Sequence, residues 1–202
     1  MKLLVATSNR GKLVEIREIL AGLGFELVSL EDARLEPPEE TTGTFHGNAE
    51  QKAVTCARQA GLWTLADDSG LCVDALGGAP GVHSARYAET DEKRRAKLLA
   101  ALAAVPPQQR GAHFFCAAVL SAPAGEAVVH AEGRVDGRIA LESRGTNGFG
   151  YDPLFLPDET PGKTLAELAS EAKNALSHRG RALRALRPSL ERLARSGSLW
   201  NA

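Results

Sequence analysis

Short apolar runs alternate with stretches of helical period through the first half of the chain, and polar loops rich in small residues separate them. Leu3, Leu4, Val5 and Ala6 form an apolar run that predicts a short buried strand over 3–6. After the polar stretch Thr7 to Lys12, apolar residues recur at Leu13, Ile16, Ile19, Leu20 and Leu23, the spacing of one helix face, and Gly24 closes the helix predicted over 13–23. Residues 25–30 predict a second strand, 31–40 an acidic, proline-bearing irregular segment, and about 49–60 a helix that carries Lys52 and stops at Gly61. The apolar run over 62–66 predicts a third strand, which delivers Asp67-Asp68-Ser69-Gly70. Consecutive strand side chains point to opposite faces, so the two carboxylates converge only if the chain turns there. Ser69-Gly70 is where a turn is expected.

Beyond this point the pattern changes. Residues 73–76 and the run Gly77-Gly78-Ala79-Pro80-Gly81 lead to Ser84-Ala85-Arg86-Tyr87, and Thr90 is placed to cap a helix over 91–105 that Pro106-Pro107 ends. Residues 113–120 and 127–131 predict a hairpin through Pro123-Ala124-Gly125, followed by a further strand or loop around 133–141. Thr164-Leu165-Ala166-Glu167 has the form of a capping box opening a short helix. The last helix, about 179–195, buries Leu183, Leu186, Leu190 and Leu193, with Pro188 expected to bend or split it. Early strands alternate with helices and the later hairpin is antiparallel, so the class is α/β with a mixed sheet. No linker divides the 202 residues, which fit one domain or a closely joined pair of lobes.

Composition narrows the function more than the fold. A formal net charge of −1 gives no overall pull toward nucleic acid or an anionic membrane, while small anionic ligands stay open. Cys56, Cys72 and Cys116 are widely spaced and suggest neither a zinc site nor a disulfide framework, so reduced thiols and a cytoplasmic setting are expected. The apolar start is too short for a signal peptide, and no run reaches membrane length. His46, His83, His113, His130 and His178 show no close helical pairing, so any metal is expected to be held by oxygen.

Several stretches carry candidate chemistry, each with a plainer alternative. A strand, the loop Thr7-Ser8-Asn9-Arg10-Gly11-Lys12 and a helix N-terminus present backbone N–H groups and a lysine suited to a phosphate, although many such loops are merely capped by Ser or Asn. The loop is neither a Walker loop nor the three-glycine dinucleotide pattern. Asp67-Asp68-Ser69-Gly70 reads either as a polar turn or as an acid aimed into a cleft. The glycines at 77–81 serve turns or bring Arg86 toward an anion. Phe149, set among glycines in Gly145-Thr146-Asn147-Gly148-Phe149-Gly150-Tyr151-Asp152-Pro153, either anchors a turn or offers a flat face to a base. Lys173, His178 and Arg179 are three donors close together, or a solvated helix face.

Taken in order with Glu40, Phe45 and Asn48-Ala49, and with Ser177-His178-Arg179-Gly180, these stretches resemble the inosine and xanthosine triphosphate pyrophosphatases, which remove deaminated purine nucleotides. The match spans nearly the whole chain as a single domain over 1–202. Two positions depart from it: Gly47 stands where relatives often have Glu, and Asn147 where they often have Gly. The resemblance implies an elongated mixed α/β fold with a cleft between two lobes, a homodimer, and Mg²⁺-dependent hydrolysis of ITP, dITP and XTP to monophosphate and pyrophosphate. It assigns Thr7, Ser8, Asn9, Arg10, Gly11 and Lys12 to the triphosphate, Glu40 and Asp68 to the metal, and Asp68 also to proton acceptance. Lys52, Ser69 and Arg86 become further substrate contacts, and Phe149, Gly150, Tyr151, Asp152, Lys173, His178 and Arg179 the nucleoside pocket. Asp67 is either a partner of the water near the metal or a shaper of the turn. Mg²⁺ prefers hard oxygens and needs only one or two carboxylates beside phosphate, which Glu40 and Asp68 supply. Competing readings are a pyrophosphatase for pyrimidine or modified nucleotides, as in the Maf family, and a nucleotide sensor without turnover.

Overall fold

The computed structural model describes residues 1–199. Six strands form one sheet: β1 (Lys2–Val5), β2 (Glu26–Ser29), β3 (Thr64–Val73), β4 (Gly111–Ser121), β5 (Ala127–Ile139) and β6 (Phe155–Pro157), in the order β2-β1-β3-β4-β5-β6. β1 pairs in parallel with both β2 and β3, whereas β5 and β6 are antiparallel. The sheet is therefore mixed and the class α/β, as the alternation of elements predicts. The helices are α1 (Arg10–Ile19), α2 (Leu30–Ala33), α3 (Phe45–Ala60), α4 (Asp91–Ala101), α5 (Ser170–Leu176) and α6 (His178–Ser196). Leu3, Leu4 and Val5 are inaccessible, which is why β1 is an unbroken apolar run.

The chain forms two compact units. One comprises Met1–Asp68, Cys116–Gly133 and the chain from Arg179 onward, the other Ser69–Phe115 and Arg134–His178. The first unit's core gathers Leu3, Val5, Ile16, Leu65 and Leu120 with Leu183, Leu186, Leu190 and Leu193 of α6. Those leucines recur at three- and four-residue steps, and each buried one contributes about 1.5–3 kcal/mol. The second unit's core gathers Leu71, Val73, Leu98, Leu102, Val135, Leu154 and Phe155, with Phe114 edge-on to Phe155 at 4.8 Å. Among the described residues no helix is long and apolar enough to cross a membrane.

The largest departure from expectation lies at Asp67-Asp68-Ser69-Gly70. There is no turn: β3 continues from Thr64 through both acids to Val73. Asp, Ser and Gly favour turns only when the backbone has no better partner; β1 pairs with this strand at Thr64 and Leu65, and β4 is its neighbour on the other side. α1 starts at Arg10, so Arg10, Gly11 and Lys12 belong to its first turn rather than to the preceding loop, and it ends at Ile19. α3 starts at Phe45, because Thr44 caps it by accepting the Gly47 N–H. The acidic segment expected to be irregular holds α2, whose Ser29 and Asp32 form a reciprocal capping box. α4 ends at Ala101, before the expected Val105, and the region around 133–141 is not a separate piece, since β5 runs unbroken to Ile139. α6 runs through Pro188 without being split. Thr90 and the Thr164–Glu167 box cap as predicted.

Candidate active site

In the first unit a network of buried charges grows from α1. Asn9 accepts the Lys12 N–H through Oδ1 at 3.1 Å, and its own N–H donates to Thr7 Oγ1 at 3.2 Å, so the loop after β1 is fastened to the helix start. Ser8 and Arg10 are exposed beside it, and the first-turn N–H groups make this end an anion-favouring one. The Lys12 ammonium lies 3.1 Å from Asp67 Oδ2. Arg179, at the start of α6, donates to the same oxygen from Nε at 3.2 Å and Nη2 at 3.1 Å, and its Nη1 donates to Glu15 of α1. Asp67 and Arg179 are each only 1% exposed. Burial alone would raise the Asp67 pKa, but Lys12, Arg179 and Lys52 together outweigh it and hold the carboxyl far below its ordinary range. The Arg179 guanidinium stays charged despite burial, because Asp67 and Glu15 raise its pKa above the ordinary value. Cys116 Sγ, 3.9 Å from Asp67 Oδ2, is pushed up by burial first and by Asp67 next, so it is a neutral thiol.

Asp68 faces a different set. Asn48 Nδ2 donates to its Oδ2 at 3.0 Å, and the Lys52 ammonium lies 3.6 Å from Oδ1 and 2.8 Å from Glu40 Oε1. Asn48 and Lys52 are one turn apart on α3 and so share a face. Thr42 orients the Asn48 amide, donating to Oδ1 from its N–H at 3.2 Å and its hydroxyl at 2.8 Å. Burial lifts the Asp68 carboxyl above its ordinary pKa, outweighing the opposite pull of Lys52 and Lys12. Lys52 moves upward, since Asp68, Asp67 and Glu40 more than offset the effect of its burial. Strand alternation, not a turn, separates the two acids: α1 and α6 serve Asp67, and α3 serves Asp68.

One lysine shared by Glu40 and Asp68 shows that both carboxylates reach the same cationic position. Among the described residues no group of three or more His, Cys, Asp or Glu could hold a metal. Two hard carboxylates fit a Mg²⁺ ion whose remaining ligands are phosphate oxygens and water.

The second unit holds the aromatic and donor residues. Phe149 and Gly150 are half-buried, while Tyr151 and Asp152 are buried. Asp152 Oδ2 accepts the Phe149 N–H at 2.9 Å and the Lys173 ammonium at 2.5 Å, and that ammonium sits 5.0 Å from the centre of the Phe149 ring. Gly148, at φ +76°, is required here, because a Cβ on it would meet Lys173 Nζ at 2.7 Å and Asp152 Cγ at 3.0 Å. The Tyr151 hydroxyl donates to the Ser84 carbonyl at 3.0 Å, so its ring acts as an anchor. His178 is stacked on Phe114 with ring centres 4.7 Å apart and planes 6° apart. Ser69 follows Asp68 along β3 and is half-buried, and Arg86 is exposed at the end of the 3₁₀ turn Gly81–Arg86.

The expected residues thus divide between the two units, and in the second, contacts join Phe149, Asp152 and Lys173. Thr7 to Lys12, Glu40, Lys52, Asp68 and Arg179 belong to the first, and Ser69, Arg86, Phe149 to Asp152, Lys173 and His178 to the second. Arg179 is placed with Asp67 and Glu15 rather than with Lys173. Glu15 and Asn48 were absent from the expected site. The signal for Glu15 was a charged residue three positions after Lys12, beside Ile16 on the apolar stripe of α1.

The Ham1 family model matches residues 3–189. A dITP/XTP pyrophosphatase of Geobacter sulfurreducens is 52% identical over 193 residues, covering 94% of this chain and 96% of that protein. Another of Anaeromyxobacter is 44% identical over 230 residues, covering 98% of this chain and all of the relative. Among solved structures, a HAM1 protein from Coxiella burnetii superposes with a TM-score of 0.83 at 42% identity, covering 95% of this chain and 99% of the other.

Proposed function

Because the chain belongs to the Ham1 family, we propose that it hydrolyses deaminated purine nucleoside triphosphates, ITP, dITP and XTP, to the monophosphate and pyrophosphate with Mg²⁺. The observation that carries this proposal is the division of the acid pair on β3. Asp67 is enclosed by the Lys12 and Arg179 cations, while Asp68 faces Asn48 and shares Lys52 with Glu40, so the two neighbouring acids take different roles.

In this reading Glu40 and Asp68 hold Mg²⁺, which supplies neutralisation of phosphate charge when bound. Thr7 to Gly11 and the α1 N-terminus receive the triphosphate, while Lys12 and Lys52 offset charge developing on it. Asp68 takes a proton from the attacking water as its oxygen bonds to the α-phosphorus. The α–β bridging bond then breaks and pyrophosphate leaves. Asp67 fixes Lys12 from behind. Phe149 offers a face to the base, and Lys173 and His178 bring donors to the six-position oxygen that hypoxanthine and xanthine carry and adenine lacks. A site built around such a hydrogen bond rejects the wrong partner by roughly 10⁴-fold. A single functional domain, a homodimer and a cytoplasmic setting belong to the same proposal, supported by the family resemblance and the cysteine usage.

The test is to incubate the pure protein and Mg²⁺ with a panel of triphosphates and separate the products. Monophosphate with pyrophosphate, formed preferentially from ITP, dITP and XTP, is expected. Orthophosphate alone, or equal rates with ATP and GTP, overturns the proposal.

A further inference from the structure

The ties that hold the Phe149 loop extend to α4, a helix in which the sequence shows no site chemistry. Gly150 is held at both its backbone polar atoms: its N–H donates to Asp91 Oδ2 at 2.8 Å, and its carbonyl accepts from Arg95 Nη1 at 2.8 Å. Asp91 and Arg95 are one turn apart at the start of α4, so one helix face grips the two peptide units that flank the Gly150 Cα. The Asp91 carboxylate is itself braced, since Oδ1 accepts from Arg94 Nη1 at 2.6 Å and Arg94 Nε donates to the Ala88 carbonyl at 2.8 Å. Capping does not require Asp91, because Thr90 already accepts the Lys93 N–H at 3.2 Å.

The peptide planes on either side of its Cα set the direction in which an aromatic side chain leaves the backbone, and its side-chain torsions turn the ring from there. The plane before Phe149 is fixed by its own N–H on Asp152, and the plane after it by the Gly150 N–H on Asp91. Both flanking planes are thus tied by carboxylates, and Arg95 ties the plane after Gly150. We infer that Asp91 and Arg95 are positioning residues for nucleoside recognition, holding the Phe149 ring in the orientation on which the base stacks. This rests on the reading of Phe149 as the base platform. The base-dependent part of affinity then depends on α4, and the triphosphate-dependent part does not.

Wild type, Asp91→Ala, Asp91→Asn, Arg95→Met and Phe149→Ala are compared for dITP turnover, for calorimetric binding of IMP and of tripolyphosphate, and for melting temperature. Asp91→Ala is expected to raise KM for dITP and weaken IMP about tenfold, the effect of losing one charge-assisted hydrogen bond, with kcat within about twofold and tripolyphosphate binding unchanged. Arg95→Met moves the same quantities about threefold. Asp91→Asn recovers most of the loss, since its amide oxygen still accepts the Gly150 N–H. The inference is overturned if Asp91→Ala weakens IMP and tripolyphosphate alike, lowers kcat with KM unchanged, or changes nothing. Arg95→Met and Asp91→Asn carry the test if Asp91→Ala does not fold. Phe149→Ala separates the two levels: if it binds IMP like wild type, the platform reading fails, and if it weakens IMP while the α4 variants do not, only the α4 inference fails.

Discussion

The two sets of candidate residues are held differently. Around Asp67, side chains grip side chains: Lys12 and Arg179 converge on one buried oxygen, and Arg179 reaches on to Glu15. Around Phe149, beside the Lys173–Asp152 ion pair, side chains also grip the backbone: Asp152 and Asp91 take successive peptide N–H groups, and Tyr151 anchors on a carbonyl. The first arrangement fixes charges in a low-dielectric interior, where they act most strongly on a developing transition state. The second fixes the direction of a flat, half-exposed surface while leaving its ring available for contact. In the proposed function, bond breaking draws on the first property and substrate selection on the second. Damage to the first set should therefore appear in stability and kcat, and damage to the second in KM and choice of base.

The most severe way to break this contrast is Arg179→Ala. It leaves Asp67 and Glu15 buried without the cation between them, and losing one partner of a buried pair costs about 3–5 kcal/mol. Arg179→Lys should recover only part, because an ammonium cannot span both carboxylates as the planar guanidinium does. Urea unfolding measures both. A loss below about 1 kcal/mol would show that the Arg179 pairs contribute no more than surface ion pairs do.

Asp68→Asn comes next and separates chemistry from folding within the same set. Removing a general base lowers kcat by about 10²–10⁴-fold, whereas the amide still accepts from Asn48 and so keeps its place. Steady-state turnover of dITP, with the melting temperature as control, is the check. A folded Asp68→Asn variant that retains near-normal kcat removes Asp68 from proton transfer.

How far each set was legible in the sequence follows from the same contrast. Features carried by near neighbours could be read directly: the Thr90 cap and the Thr164–Glu167 box lie within a few residues of what they touch, and the leucines of α6 show their shared face by their own spacing, although what they pack on is distant in sequence. Asp67 could not be read that way, since Arg179 is 112 positions away. Without that partner in view, two acids before Ser-Gly look like a turn, and only the neighbouring strands and the opposed helices show why β3 carries straight on. The resemblance groups Arg179 with Lys173 and His178, and nothing local in the sequence shows that the start of α6 also directs its guanidinium to Glu15 of α1 and Asp67 of β3. The grip of α4 on Gly150 spans residues 91 to 150 and leaves no local trace, because Asp91 also suits the dipole of its own helix.

The gentlest test is applied to the backbone side. Gly148 has φ +76°, where an L side chain is strained, and an added Cβ would sit 2.7 Å from Lys173 Nζ and also meet Asp152. Gly148→Ala is expected to cost about 1 kcal/mol or somewhat more in stability, the usual effect of alanine at a left-handed position. Because the displaced atoms are the tip of Lys173 and the carboxylate that holds the Phe149 N–H, the functional loss should exceed what this modest instability implies. KM for dITP should rise several-fold and ITP:ATP discrimination should fall, with kcat at saturating substrate nearly unchanged. Unchanged discrimination with a normal KM would therefore erase the distinction between the two regions, and a fall in kcat with KM constant would invert it.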